Sequence, residues 1–192
     1  MELDKNINYI VSGLERSGTS LLMQILHAGS IPCAFDESRK PDNNNPKGYY
    51  ELEGGKIINK LMDGTFPLDK YKGIFIKITA YGLKFLPPGK YVILYSERNI
   101  EEILDSMEKM AKIKDINREE TKNAFIRLNN MIKIHIKDRS DIDCMFVNYN
   151  KILTNPEISI KKIHEYLGMP KEYLDEMMGV INKRLYRQRR IL

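Results

Sequence analysis

The sequence predicts a single α/β domain with a mostly parallel central sheet of about five strands and helices on both faces. Three observations carry that prediction. An apolar run over residues 7–12 leads through a glycine-bounded loop, residues 13–20, into the helical pattern Leu21-Leu22-Met23-Gln24-Ile25-Leu26-His27. Four further segments with strand character, 31–35, 73–79, 91–96 and 143–149, alternate with stretches of helical periodicity. Tyr91-Val92-Ile93-Leu94-Tyr95 is nearly continuously apolar, as a strand covered on both faces should be.

The elements between the strands follow in order. Ile100, Ile103, Leu104, Met107 and Ala111 recur at three- and four-residue intervals, and Phe125, Leu128, Ile132 and Ile136 mark a longer helix. Asn155-Pro156-Glu157 supplies an N-cap, a proline at the first helical position and an acid in the first turn. That helix carries Ile160, Ile163, His164 and Leu167 and should stop at Gly168, with Pro170 just beyond. The least regular stretch, residues 36–47, contains Asn43-Asn44-Asn45-Pro46 and reads as a loop over a site or a surface insertion.

A chain of 192 residues suits one domain, residues 1–192, with a sizeable core. Apolar content of 42% and charged content of 30% are ordinary for a soluble protein. Met1-Glu2-Leu3-Asp4-Lys5 lacks the basic and apolar regions of a secretory signal, and no apolar run approaches the roughly 20 residues of a membrane span. Cys33 and Cys144 lie far apart without metal-ligand spacing. Two buried thiols in a reduced, cytoplasmic setting are expected. The net charge of +5 equals the contribution of Lys183, Arg184, Arg187, Arg189 and Arg190, a basic C-terminal tail over 183–192 without an acid. Nucleic acid is not an expected partner, since its footprint is a distributed basic stripe with interleaved aromatics.

The opening loop fits the phosphate-binding pattern G-x-x-x-x-G-K-S/T except at the lysine, where Thr19 stands. A positive charge appears instead inside the loop, at Arg16. Strand, loop and helix still present backbone N–H groups and a positive helix end to an anion. A second signal is Ser96-Glu97-Arg98-Asn99-Ile100 at the end of the fourth predicted strand, with Ser106 eight residues after Arg98. Arg98 at a strand's carboxyl end and Ser106 two turns into the next helix could clasp a second anionic group.

Both motifs, in this order, resemble those of sulfotransferases that use 3′-phosphoadenosine 5′-phosphosulfate (PAPS). Arg16-Ser17-Gly18-Thr19-Ser20 matches the family's K/R-x-G-T-T/S phosphosulfate loop, and Arg98 with Ser106 its 3′-phosphate motif. Phe146-Val147-Asn148-Tyr149-Asn150, Asn155-Pro156 and Leu167-Gly168 match a later tyrosine strand, an N-P-x helix and an L-G turn, although an acid usually follows the tyrosine. Lys77 stands where bacterial-type and tyrosyl-protein members place a lysine, often in K-D-P; here Ile78 and Thr79 follow it. Asn45-Pro46-Lys47-Gly48-Tyr49-Tyr50-Glu51 matches a bacterial N-P-x-G-aromatic-aromatic-E stretch, and Leu185, Arg187, Arg189 and Arg190 resemble an L-x-R-x-R ending.

The resemblance implies sulfuryl transfer from PAPS to a hydroxyl or amine acceptor by in-line displacement, with no metal required. Arg16, Ser17, Gly18, Thr19 and Ser20 would bind the 5′-phosphosulfate, Arg98 and Ser106 the 3′-phosphate, Tyr149 the adenine region, and Arg187 would close over the cofactor or belong to a solvated tail. Arg16 and Lys77 would stabilise charge on the departing phosphate. Glu51, and second Glu37, are the candidate bases. The acceptor is a small molecule, carbohydrate or peptide. Two other readings stay open: a P-loop kinase using ATP and Mg²⁺, and a nucleotide-binding relative without catalysis. His27, His135 and His164 fall in helical patterns and read as helix-face residues.

Overall fold

The computed structural model describes residues 2–169, 173–182, 184 and 190. Its sheet has four strands, β1 (Asn8–Gly13), β2 (Phe75–Lys77), β3 (Tyr91–Glu97) and β4 (Ile142–Asn148), all parallel in the order β2-β1-β3-β4. The fifth expected strand, over 31–35, is reduced to a single parallel bridge, Cys33 with Phe75. Pro32 has no N–H to give a ladder; its carbonyl accepts from Phe75 N at 2.8 Å, and Ala34 N donates to Phe75 O at 2.9 Å. The segment touches the edge of β2 and leaves.

Period-two alternation divides the strand residues between two cores. Ile10, Ile76, Ile93 and Tyr95 pack with Ile103 of α3 (Ile100–Ala111) and with Ile132 and Ile136 of α4 (Arg118–Asp138). Tyr9, Val11, Phe75 and Leu94 pack on the opposite face with Leu22 and Leu26 of α1 (Thr19–Ala28) and Ile160 and Ile163 of α6 (Pro156–Tyr166). Each fully buried aliphatic side chain contributes roughly 1.5–3 kcal/mol, so both faces of the sheet are closed. The short helices α2 (Ile57–Met62), α5 (Tyr149–Thr154) and α7 (Leu174–Gly179) complete the two layers.

Helix ends follow local chemistry. Asn99 caps α3 by accepting from Glu101 N at 2.9 Å. At α6, Pro156 takes the first turn as expected, but the Asn155 side chain makes no capping bond. The chain leaves α6 through Gly168 at φ +62°, the left-handed turn that glycine permits. No helix among the described residues is long and apolar enough to cross a membrane.

The order 2-1-3-4 places the chain's reversal between β1 and β3. From β1 the path moves outward to β2, then returns to the other side. Such a switch point opens a crevice at the carboxyl ends of the two strands. Gly13 and Ser96, register partners there, begin the two segments in which the sequence places its anion motifs.

Candidate active site

The loop leaving β1 is tightly held. Gly13 (φ +149°) approaches β3 so closely that a Cβ there would lie 2.6 Å from Ser96 O. Ser96 Oγ donates to Ser17 O at 2.8 Å, fixing the middle of the loop to the end of β3. Arg16 adopts φ +64°, an uncommon conformation for a residue with a side chain. Gly18 (φ +107°) begins α1, where a Cβ would lie 2.2 Å from the Tyr149 ring. The free N–H groups of the first helical turn face this loop.

Arg16 and Ser106, ninety residues apart, are joined by an Arg16 Nε–Ser106 Oγ hydrogen bond of 3.0 Å. Arg98 donates from Nη1 to Arg16 O at 3.0 Å and from Nε to Glu102 Oε2 at 3.1 Å. Its guanidinium carbon stands 4.6 Å from the centre of the Tyr149 ring. The Glu102 carboxylate is 1% exposed, so this ion pair is buried. Asn150 Nδ2 donates to both Glu102 oxygens at 3.1 Å. An acid at position 150, as the family pattern prefers, would repel Glu102; the amide substitutes a hydrogen bond for that repulsion.

On the other side, Lys77 ends β2 with a side chain only 7% exposed. Its Nζ donates to Glu51 Oε1 at 2.8 Å, Tyr49 O at 2.9 Å and Ser20 Oγ at 3.1 Å. Burial pulls its ammonium below the ordinary lysine range, with the nearby Glu51 carboxylate opposing the shift. Arg39 Nη1 takes the second Glu51 oxygen at 3.1 Å and stacks 3.5 Å over the Tyr49 ring. Ser20 Oγ and Gln24 Nε2 donate to Tyr49 O and Gly48 O, so residues 48–51 are laid across α1.

Between the two sides lies a cleft of about 370 Å³. Arg16, Gly18, Thr19, Ser20, Glu51, Lys77, Arg98, Ser106 and Tyr149 all line it. Ser17 lies beneath the loop, 1% exposed. Glu37 is exposed and is not among the lining residues. Arg187 lies outside the described residues; of the tail, Arg190 pairs with Asp105 of α3 at 2.8 Å, and its backbone N donates to Glu102 Oε1. His164 lies on the buried face of α6. Arg39 and Glu102 were not singled out by the motifs, and Asn150 entered only as the residue that stands where the family pattern has an acid. Arg39 sits in the irregular loop, where no periodicity marks a residue; Glu102 had a signal in its i, i+4 spacing from Arg98.

No family model matches the chain, and no curated protein matches it. Solved structures do. The sulfotransferase domain of the olefin synthase of Synechococcus PCC 7002 is 15% identical, with a TM-score of 0.51 over 92% of this chain and 81% of that one. Retinol dehydratase in complex with retinol and PAP is 17% identical, with a TM-score of 0.53 over 94% of this chain and 65% of that one. A sulfotransferase from Mycobacterium tuberculosis is 13% identical, with a TM-score of 0.53 over 91% and 71%. The chain thus spans less than two thirds of retinol dehydratase. The likeness is one of fold: a parallel α/β sheet of the kind that sulfotransferases use.

Proposed function

We propose that the chain is a sulfotransferase that moves a sulfuryl group from PAPS to a hydroxyl or amine acceptor. The observation that carries this reading is the meeting of Arg16, Arg98 and Ser106 on one wall of a cleft whose other wall holds Lys77 and Glu51. Cations and hydroxyls on one wall and an ammonium on the other suit a nucleotide with two separated anionic groups. Tyr149, held by Arg98 and by contact with Gly18, offers a ring beside them.

When bound, the donor supplies SO₃, whose departure leaves negative charge on phosphate oxygens. Arg16, the N–H groups of residues 18–20 and the N-terminus of α1 stabilise that charge without reorganisation, while the Ser17 N–H closes the loop on Leu14 O. Arg98 and Ser106 bind the 3′-phosphate and set the register, and Lys77 serves the transferring group. Glu51 takes the acceptor's proton, because it lines the cleft and Glu37 stands outside it. The acceptor is a small molecule, carbohydrate or peptide.

A reducing cytoplasmic location suits the two cysteines. Burial pushes the Cys33 and Cys144 thiols up to about 12, leaving both protonated at neutral pH. Calorimetric titration tests the nucleotide assignment. The protein should prefer 3′-phosphoadenosine 5′-phosphate (PAP) to adenosine 5′-phosphate, and Arg98→Ala should erase that preference. Equal affinities in the unmodified protein would refute the reading.

A further inference from the structure

We propose that Arg39 is a positioning residue for this reaction: it holds the Glu51 carboxylate in place when Lys77 leaves it for the donor. The inference rests on the sulfotransferase reading and adds a residue that neither the motifs nor the fold assigns. Glu51 is held at both oxygens, Oε1 by Lys77 at 2.8 Å and Oε2 by Arg39 at 3.1 Å. Each oxygen already accepts from a cation, so an acceptor O–H reaches Glu51 only where one of the two cations withdraws.

Lys77 is the one placed to do so. Its Nζ already touches Ser20, a residue of the anion loop, at 3.1 Å. An anion bound on that loop competes directly with Glu51 for the ammonium. Burial already disfavours the charged lysine, and a second nearby anion compensates for that cost. Arg39 is held instead by its ring contact and by the carboxylates of its own loop. Its guanidinium stacks 3.5 Å over Tyr49, and Tyr49 is fixed from three directions. Its hydroxyl donates to Asp42 at 2.9 Å, its carbonyl accepts from Ser20 as well as from Lys77 and so keeps a donor when Lys77 leaves, and its residue is 3% exposed.

Gly55 completes the arrangement. A Cβ at that position would lie 3.1 Å from Glu51 Oε2, so the wall is bare where Arg39 reaches the carboxylate. Once Lys77 has moved, Oε1 is open and Oε2 is still anchored. The acceptor O–H gives its proton to Oε1 as the acceptor oxygen bonds to sulfur. The bond from sulfur to the bridging oxygen breaks, and its electron pair stays on the phosphate. Glu51 ends protonated and Arg39 still holds its other oxygen. Proton removal is thereby tied to donor binding, since an empty loop leaves Lys77 on Glu51.

Four variants test this: Arg39→Ala, Glu51→Gln and Arg39→Ala/Glu51→Gln, which with the unmodified protein close a double-mutant cycle, and Arg39→Lys beside them. In the nucleotide-free protein, unfolding midpoints should show coupling between positions 39 and 51. PAP should raise the midpoint of Arg39→Ala as much as that of the unmodified protein. Release of labelled sulfate from labelled PAPS, with water as acceptor, should fall about 10²-fold in kcat for Arg39→Ala, the scale of an ångström's misplacement. The donor KM should stay within about twofold. Millimolar guanidinium should restore part of the rate, and Arg39→Lys should keep more of it than Arg39→Ala. Additive midpoints, or an unchanged kcat in Arg39→Ala, would overturn the role of Arg39 and leave the sulfotransferase reading standing. Failure of PAP to stabilise the unmodified protein would instead remove that reading itself.

Discussion

The two walls of the cleft are built differently. The wall formed by β3, α3 and α5 is cross-tied before any ligand arrives: Arg98 is 6% exposed, and Glu102 is 1% exposed with bonds from Arg98 and Asn150. The wall formed by residues 36–56 is a loop with one short 3-10 turn, pinned by bonds to Asp36 and Asp42, by Ser20 and Gln24 of α1 and by Lys77. Its Arg39 is 39% exposed. In the proposed reaction the preformed wall would fix where the nucleotide's phosphates sit, and the loop wall could change with the acceptor. Specificity in such a design resides on the loop side, where sequence motifs say least.

Unfolding experiments should separate the walls most strongly. Arg98→Ala leaves the buried Glu102 without its guanidinium and should cost about 3–5 kcal/mol of stability. Denaturant midpoints will show this, and a loss near zero would mean that the wall is not preorganised by that pair. Lys77→Met removes the cation that joins the loop wall to Ser20 of α1. It should lower turnover of labelled donor by about 10²–10³-fold, the range for removing one charge-stabilising donor, while PAP still binds. Gly18→Ala inserts a methyl 2.2 Å from the Tyr149 ring at a left-handed φ. A destabilisation of about 1–3 kcal/mol is expected from overpacking, with loss of PAP-linked stabilisation.

The smaller effects belong to the loop wall. Arg39→Ala breaks an ion pair that solvent screens, so its cost to stability should be about 1 kcal/mol or less, well below that of Arg98→Ala. The loop's anchors also respond to acid. Burial pushes the Asp42 carboxyl up, but hydrogen bonds from Asn45, Tyr49 and Asn44 outweigh it and hold it below its usual value of 3.8. Asp36 behaves alike, with burial opposed by bonds from Ser38 and Glu53. A carboxyl depressed in the folded state contributes stability above its unfolded value, lost as pH falls through the folded one. Hydrogen-exchange protection over residues 36–56 should therefore drop below about pH 3.8, before that of β1 and β3. Simultaneous loss in both regions would erase the distinction between the walls.

The same contrast explains what could be read from the sequence. Arg16, Arg98 and Ser106 were legible because a loop motif, a strand end and helix spacing place them, and Lys77 was legible through the family resemblance. The segment 31–35 read as a strand because its apolar content passed the pattern; Pro32, which cannot donate, leaves it as a single bridge. The partnership of Glu51 with Lys77 was out of reach, since a loop of irregular backbone carries no period linking positions 26 residues apart. Asn150 looked like a departure from a motif. Its reason, the carboxylate of Glu102, lies on another helix.

The central claim is that the cross-tied wall recognises a 3′-phosphorylated adenine nucleotide. Thermal unfolding of the protein alone, with PAP, and with ATP plus Mg²⁺ tests it directly. PAP at about 100 times its dissociation constant should add about 2.7 kcal/mol of stability, raising the midpoint, while ATP with Mg²⁺ gives little or no shift. A midpoint raised by ATP with Mg²⁺ and unmoved by PAP would contradict it.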